Sequence, residues 1–67
     1  MARKRNIKLI KLRKGREMTQ IEVAKQVGVT PRTYGKAEAG KNVNDTTKAL
    51  IADFFNLPEG EIFTNTY

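Results

Sequence analysis

Helix start and stop signals between residues 19 and 31 constrain the fold of this chain more than any other feature of its sequence. Residues 19–22, TQIE, match a capping box, in which the Thr19 hydroxyl accepts from the Glu22 amide and the Glu22 carboxylate accepts from the Thr19 amide. Gly28 can take the left-handed conformation that ends a helix. Thr30-Pro31 then supplies an N-cap and a first helical residue. This stretch predicts two short helices joined by a turn of about three residues.

Similar signals divide the rest of the chain into further helical segments and leave no strand. The first segment spans residues 6–16, the fourth begins at Asn44 or Asp45 and runs to about Phe55, and a short turn covers residues 58–63. Apolar spacing predicts inner faces made of Ile21, Ala24 and Val27 in the second helix and of Thr47, Leu50, Ile51, Phe54 and Phe55 in the fourth. The prediction is an all-α fold of about five helices in one domain, residues 1–67.

The residue types that are missing exclude several classes of function. The chain has no Cys, His or Trp and no Ser, which removes disulfides, soft metal sites and most nucleophilic and general-base chemistry. We therefore expect no enzyme activity, no cofactor and no metal. Apolar runs fall far short of the roughly 20 residues that cross a bilayer, and the N-terminus lacks the apolar core of a signal peptide. We expect a soluble, cytoplasmic protein without membrane association.

Charge is distributed unevenly along the chain. Thirteen Lys and Arg against seven Asp and Glu give a net charge of +6. Residues 1–16 contain eight basic residues and no acid, whereas residues 44–67 contain one lysine and four acids. A basic pole on a small domain favours a polyanionic partner, most often a nucleic acid. The alternative is a basic face that is simply solvated.

The spacing of small and apolar residues within residues 20–39 resembles that of a helix-turn-helix. The residues that carry this likeness are Ala24, Gly28, Val29, Tyr34 and Ala37. The wider pattern consists of Leu9-x-x-Leu12-Arg13, Met18-Thr19-Gln20, Ala24, Val27-Gly28-Val29-Thr30, Glu38-x-Gly40 and Glu61-Ile62-Phe63. Together these motifs resemble the Cro and lambda-repressor-like DNA-binding domains, also called the xenobiotic-response-element family. The resemblance covers about residues 6–63, nearly the whole chain.

The resemblance implies a compact five-helix lambda-repressor-like domain that inserts its third helix into the major groove of double-stranded DNA, commonly as a homodimer. Gln20 would contact a phosphate and brace the third helix, and Arg13 and Glu38 would form a buried ion pair. The positions facing base edges would be Thr30, Pro31, Arg32 and Lys36, and those near the DNA backbone Thr33 and Lys41. Without the resemblance, Gln20 is an ordinary exposed residue and the ion pair is two solvated charges.

Several residues keep two interpretations. Gly35 weakens a helix by about 1 kcal/mol relative to alanine, and it either lets the helix sit closer to DNA or is neutral drift. Tyr34 either exchanges volume with the small Ala37 inside the core or turns outward toward a phosphate. Glu17 stands where a helix-ending glycine or asparagine is common. The Arg3-Lys4-Arg5 segment either tracks a DNA groove or is a solvated end.

Two functions of different classes fit this sequence. The first is a sequence-specific transcriptional regulator, a small phage-like or mobile-element-like repressor of prokaryotic or phage origin. The second is a protein-interaction module, such as an antitoxin or anti-regulator, that binds DNA only secondarily. A protein partner or a homodimer needs an exposed apolar patch, and its candidates are Ile10, Val43, Ile62, Phe63 and Tyr67. Non-specific RNA binding is disfavoured because the third helix has no aromatic stacking platform beyond Tyr34.

Overall fold

The computed structural model describes residues 5–63, and these residues contain five α-helices. Their bounds are α1 Ile7–Gly15, α2 Gln20–Val27, α3 Pro31–Glu38, α4 Asp45–Phe55 and α5 Glu59–Ile62. No strand occurs in this part of the chain. The predicted all-α fold is therefore confirmed, and α2 and α3 are the predicted pair of short helices.

Side-chain caps fix where the helices begin. The capping side chains of the first four helices belong to Asn6, Thr19, Thr30 and Asn44. At the start of α2, the Glu22 amide donates to Thr19 Oγ1 over 3.1 Å and the Thr19 amide donates to Glu22 Oε1 over 2.8 Å. The predicted capping box is thus present. Gly28 has a φ of +99°, the left-handed conformation expected where α2 ends.

The turn between α1 and α2 forms without glycine. Glu17 has a φ of +57°, in the left-handed region that a non-glycine residue enters at a cost of about 1–2 kcal/mol. The Glu17 amide donates to the Lys14 carbonyl over 2.9 Å, and Arg13 Nη1 donates to the Met18 carbonyl over 2.9 Å. These bonds hold Glu17 in the conformation that glycine or asparagine commonly supplies.

All five helices contribute to one apolar core. Its buried members are Leu9 of α1, Val23, Ala24 and Val27 of α2, Tyr34 and Ala37 of α3, Ile51, Ala52 and Phe55 of α4, and Ile62 of α5. Near the end of α4, the Arg16 guanidinium lies 4.9 Å and 5.0 Å from the ring centres of Phe54 and Phe55. This cation–π contact packs the residue that follows α1 against the end of α4.

Two predicted core positions, Ile21 and Leu50, are instead 60% and 40% exposed. The face of α2 that packs inward contains Val23 in place of Ile21. Leu50 precedes the fully buried Ile51 by one residue, which is about 100° around a helix, so burying Ile51 turns Leu50 toward solvent. Ala52 is buried on the other side of Ile51. The remaining predicted positions of α4 are buried or half-buried: Thr47, Ile51, Phe54 and Phe55.

An ion pair between Arg13 and Glu38 joins α1 to α3. Arg13 Nε donates to Glu38 Oε2 over 2.6 Å, and Arg13 Nη2 donates to Glu38 Oε1 over 3.2 Å. Gln20 Nε2, on the first residue of α2, donates to the same Oε1 over 2.9 Å. The Arg13 and Glu38 side chains are only 14% and 4% exposed. One buried carboxylate therefore links three helices.

The ionisation of Glu38 is tied to these bonds. Burial by itself raises the pKa of Glu38, but the hydrogen bonds from Arg13 and Gln20 outweigh it and hold the pKa below its ordinary value. The hydrogen bond between Arg13 and Glu38 also raises the pKa of Arg13. Because the folded-state pKa of Glu38 is lowered, its carboxylate adds stability above the unfolded-state pKa. That contribution is lost as the pH falls through the folded-state pKa.

Tyr34 lies inside the core, so the outward orientation is wrong. Its side chain is fully buried, and Ala37 is buried in the same core. Burial raises the pKa of Tyr34, and the Glu38 carboxylate beside it raises the pKa further. No group in residues 5–63 forms an aligned hydrogen bond with the Tyr34 hydroxyl. The core thus contains one unpaired polar atom next to the ion pair.

The Glu38→Ala substitution should lower the free energy of unfolding by about 3–5 kcal/mol, because it leaves the Arg13 guanidinium buried without its partner. Urea unfolding followed by circular dichroism measures this loss. Asp53→Ala removes an exposed carboxylate from α4 and is the matched control. The gap in stability between wild type and Glu38→Ala should narrow as the pH falls below the ordinary glutamate pKa of 4.5. A loss of less than about 0.5 kcal/mol at neutral pH would contradict the structural role of the pair.

The Tyr34→Phe substitution should raise the free energy of unfolding by about 1 kcal/mol, because it removes a buried hydroxyl that lacks an aligned partner and keeps the ring. Urea unfolding measures the change. A clear loss of stability would show instead that the hydroxyl donates to Glu38 in solution.

Candidate nucleic-acid interface

Helix α3 has one buried face and one exposed basic face. Tyr34, Ala37 and Glu38 are buried, whereas Pro31, Arg32 and Lys36 are exposed. Arg32 and Lys36 are four residues apart and so lie on the same side of the helix. In the part of the chain that the structure describes, the two ion pairs found involve neither of these cations. The outer face of α3 therefore offers positive hydrogen-bond donors to solvent.

The hydroxyl of Thr30 is engaged at the start of α3. Thr30 Oγ1 accepts from the Thr33 amide over 3.1 Å, and it also donates to Thr33 Oγ1 over 2.9 Å. Because a hydroxyl has a single proton, Thr30 keeps only lone pairs and its methyl group for a ligand. Thr33 keeps its own hydroxyl proton. The bond between the two hydroxyls thus leaves Thr33 as the one with a proton for a ligand.

Gln20 lies at the start of α2 with its amide held against α3. The bond from Nε2 to Glu38 uses one of the two N–H donors of the amide, and the other is available to a ligand. Oε1 of Gln20 lies 3.8 Å from the position that a Cβ would take at Gly35. The bracing of the third helix by Gln20 is therefore present, and its phosphate contact stays a prediction.

Lys41 lies in the loop that follows α3. Its backbone amide donates to the Lys36 carbonyl over 2.9 Å, and the preceding Gly40 has a φ of +83°. The exposed Lys41 side chain therefore adds a cation at the C-terminal end of α3.

Two long-range hydrogen bonds of Asn6 were not foreseen from the sequence. The Asn6 amide donates to the Glu38 carbonyl over 2.9 Å, and Asn6 Nδ2 donates to the Ile62 carbonyl over 3.0 Å. They fix Arg5 beside α3, whereas Arg3 and Lys4 lie outside the described residues. The position of an asparagine just before an apolar segment signals the helix cap, but no local pattern signals bonds to residues this distant.

The residues predicted to form an exposed apolar patch are buried or half-buried where the structure describes them. Ile62 is 2% exposed and belongs to the core, so its assignment to a surface patch is wrong, because α5 packs its one inward apolar residue against α4. Ile10, Val43 and Phe63 are half-buried, and Tyr67 lies outside the described residues. Among residues 5–63, the large apolar residues that are exposed are Ile7, Ile21 and Leu50.

Residues 5–63 contain neither a membrane-spanning helix nor a metal-binding cluster. No helix there is both long and apolar enough to span a membrane. No cluster of three potential metal-ligating side chains occurs among these residues. The chemistry that the exposed face of α3 and its surroundings offer is that of cationic and neutral hydrogen-bond donors.

The Gly35→Ala substitution should raise the free energy of unfolding by about 1 kcal/mol, because the added Cβ meets its nearest neighbour at 3.8 Å, an ordinary contact, and alanine favours the helix. Urea unfolding measures the gain. An unchanged affinity for DNA would show that the glycine is neutral, and a loss would show that DNA approaches α3 at this residue. Gly60→Ala, in α5 with open space around it, is the matched control. Absence of any gain in stability would contradict the packing described here.

The comparisons with known proteins agree with this geometry. A family model described as Helix-turn-helix matches residues 9–62. No curated protein and no solved structure gives a significant match to the chain. The matched region includes α2, α3 and both members of the Arg13 and Glu38 pair. The chain therefore belongs to the Cro and lambda-repressor-like helix-turn-helix family, a family of DNA-binding regulatory domains that bind double-stranded DNA.

Proposed function

We propose that this protein is a sequence-specific transcriptional repressor of the small phage-like or mobile-element-like kind, and that it inserts α3 into the major groove of its operator. The observation that carries the proposal is the exposed basic face of α3, with Arg32 and Lys36 on one side of a helix whose other side is buried. An α-helix with its side chains is about 10–12 Å across, which matches the width of about 12 Å of the major groove.

The residues of α3 divide into two roles in this proposal. Arg32 and Lys36 donate to guanine O6 and N7 and supply the discrimination between bases. Pro31 and the methyl group of Thr30 make apolar contacts, such as with a thymine methyl group. Thr33 donates its free hydroxyl proton to a backbone phosphate or sugar, a contact that positions the helix without reading sequence.

Lys41 and Gln20 flank α3 and contact the DNA backbone. Lys41 lies at the C-terminal end of α3, and Gln20 is held against the helix by Glu38. Phosphate contacts on both sides fix the depth and angle of the helix in the groove. The contacts with the DNA backbone thereby set the position of α3 from which Arg32 reads a base.

The second candidate function is a protein-interaction module. The exposed apolar residues Ile7, Ile21 and Leu50 favour it, since a partner protein would cover them. A homodimer would cover such residues as well and would enlarge a small core, and it is the assembly we propose for DNA binding.

Selection of bound duplexes from a random DNA pool at near-physiological salt tests both functions. We expect an enriched pseudo-palindrome whose half-sites are spaced by about one helical turn, roughly 34 Å, as a two-fold dimer requires. If no motif is enriched and binding falls steeply with salt, the basic face binds phosphates without reading bases. That outcome would favour the protein-interaction module.

The Arg32→Ala substitution should relax the preference at one base pair of the selected site, with a loss of about 1–3 kcal/mol for the preferred base. Lys41→Ala should instead weaken binding to all sequences alike and lower the slope of log affinity against log salt by about 1. Competition binding against single-base variants measures both effects. Equal losses across all sequences for the two variants would contradict base reading by Arg32.

A further inference from the structure

An open depression lies between the start of α1, the start of α2 and the middle of α3. Its volume is about 130 Å³. The residues that line it are Arg5, Ile10, Gln20, Gly35, Glu38 and Ala39. It adjoins the part of α2 and α3 that faces DNA in the proposed function.

The floor of this depression is unusually bare. Gly35 has no side chain and Ala39 has only a methyl group, so a ligand can approach the backbone of α3 here. The Gln20 amide stands at the edge with one N–H committed to Glu38 and one available. A ligand that accepts hydrogen bonds fits this edge.

The carboxylate of Glu38 does not prevent an anion from binding. It accepts two hydrogen bonds from Arg13 and one from Gln20, and its side chain is 4% exposed. The charge of Glu38 is therefore balanced by Arg13 within the ion pair. The charge that remains at the depression is that of Arg5.

Arg5 is held in place by the backbone around it. The amide of Asn6 donates to the Glu38 carbonyl of α3, and its side chain donates to the Ile62 carbonyl of α5. The Ile7 amide donates to the Arg5 carbonyl over 3.0 Å. In the described residues, neither ion pair involves Arg5. A cation whose backbone is fixed before binding loses less entropy on contact with a ligand.

We propose that this depression is a seat for one backbone phosphate of DNA, which Arg5 and the free N–H of Gln20 bind together. The proposal rests on the proposed function and deepens it, because it names Arg5 as a second residue that binds the phosphate contacted by Gln20. Arg5 and the free N–H of Gln20 are donors, and the Glu38 carboxylate at the site is already paired with Arg13, which suits a phosphate. The contact fixes the register of α3 in the groove and carries no base information.

Methylphosphonate replacement tests the seat. Each phosphate of a bound duplex is replaced in turn by an uncharged methylphosphonate, and affinities are measured for wild type, Arg5→Ala and Gln20→Ala. Both variants should bind the unmodified duplex about tenfold more weakly, the effect of one charge-assisted hydrogen bond. Both should also become insensitive to replacement at the same single phosphate, to which the wild type is sensitive.

Three controls accompany these variants. Lys11→Ala removes an exposed cation of α1 that does not line the depression, and it should change affinity less than about twofold. Lys41→Ala should stay sensitive at the phosphate that Arg5 and Gln20 share. Arg5→Lys should restore most of the affinity. Thermal unfolding of each variant identifies any loss that is due to the fold.

Each outcome decides the proposal. The proposed seat is wrong if Arg5→Ala weakens binding as little as Lys11→Ala does. It is also wrong if Arg5→Ala and Gln20→Ala become insensitive to replacement at different phosphates. Neither result would contradict DNA binding itself. If the folded wild type binds no duplex at all, the proposed function fails and the seat fails with it. A shared phosphate for the two variants supports the seat.

Discussion

The carboxylate of Glu38 is the interaction on which the arrangement of this domain depends. It accepts hydrogen bonds from Arg13 of α1 and Gln20 of α2 while belonging to α3. A small apolar core constrains the distance between helices better than their rotation about their own axes, because apolar contacts have no direction. Hydrogen bonds between charged groups do have direction, so this carboxylate fixes how α3 is turned against α1 and α2.

The same carboxylate connects the core with the surface that we propose for DNA. Gln20 gives one amide proton to Glu38 and has one left for a phosphate. The Asn6 amide donates to the Glu38 backbone carbonyl, which brings Arg5 to the same side of α3. The orientation of the exposed donors is therefore set from the inside of the domain.

Much of the fold could be predicted because helix caps are local. Thr19, Glu22, Gly28 and Thr30 act on neighbours within four residues, and the structure gives them the expected roles. The ion pair between Arg13 and Glu38, which are 25 residues apart, was predicted from the family resemblance and not from a local pattern. The apolar spacing predicts Ile21 and Leu50 in the core, but both are exposed. An apolar residue at the edge of a stripe is buried or exposed according to a small rotation of its helix.

The sequence by itself determined the number of helices, the tight turn between α2 and α3 and the excess of positive charge at the N-terminal end. These depend on residues close together in the chain or on composition alone. Only the tertiary structure decided that Tyr34 turns inward, that Glu17 adopts a left-handed conformation and that Arg5, Gln20 and Gly35 surround one depression. The reason is physical: these features depend on which helix faces which, and that is settled by packing and by the bonds at Glu38.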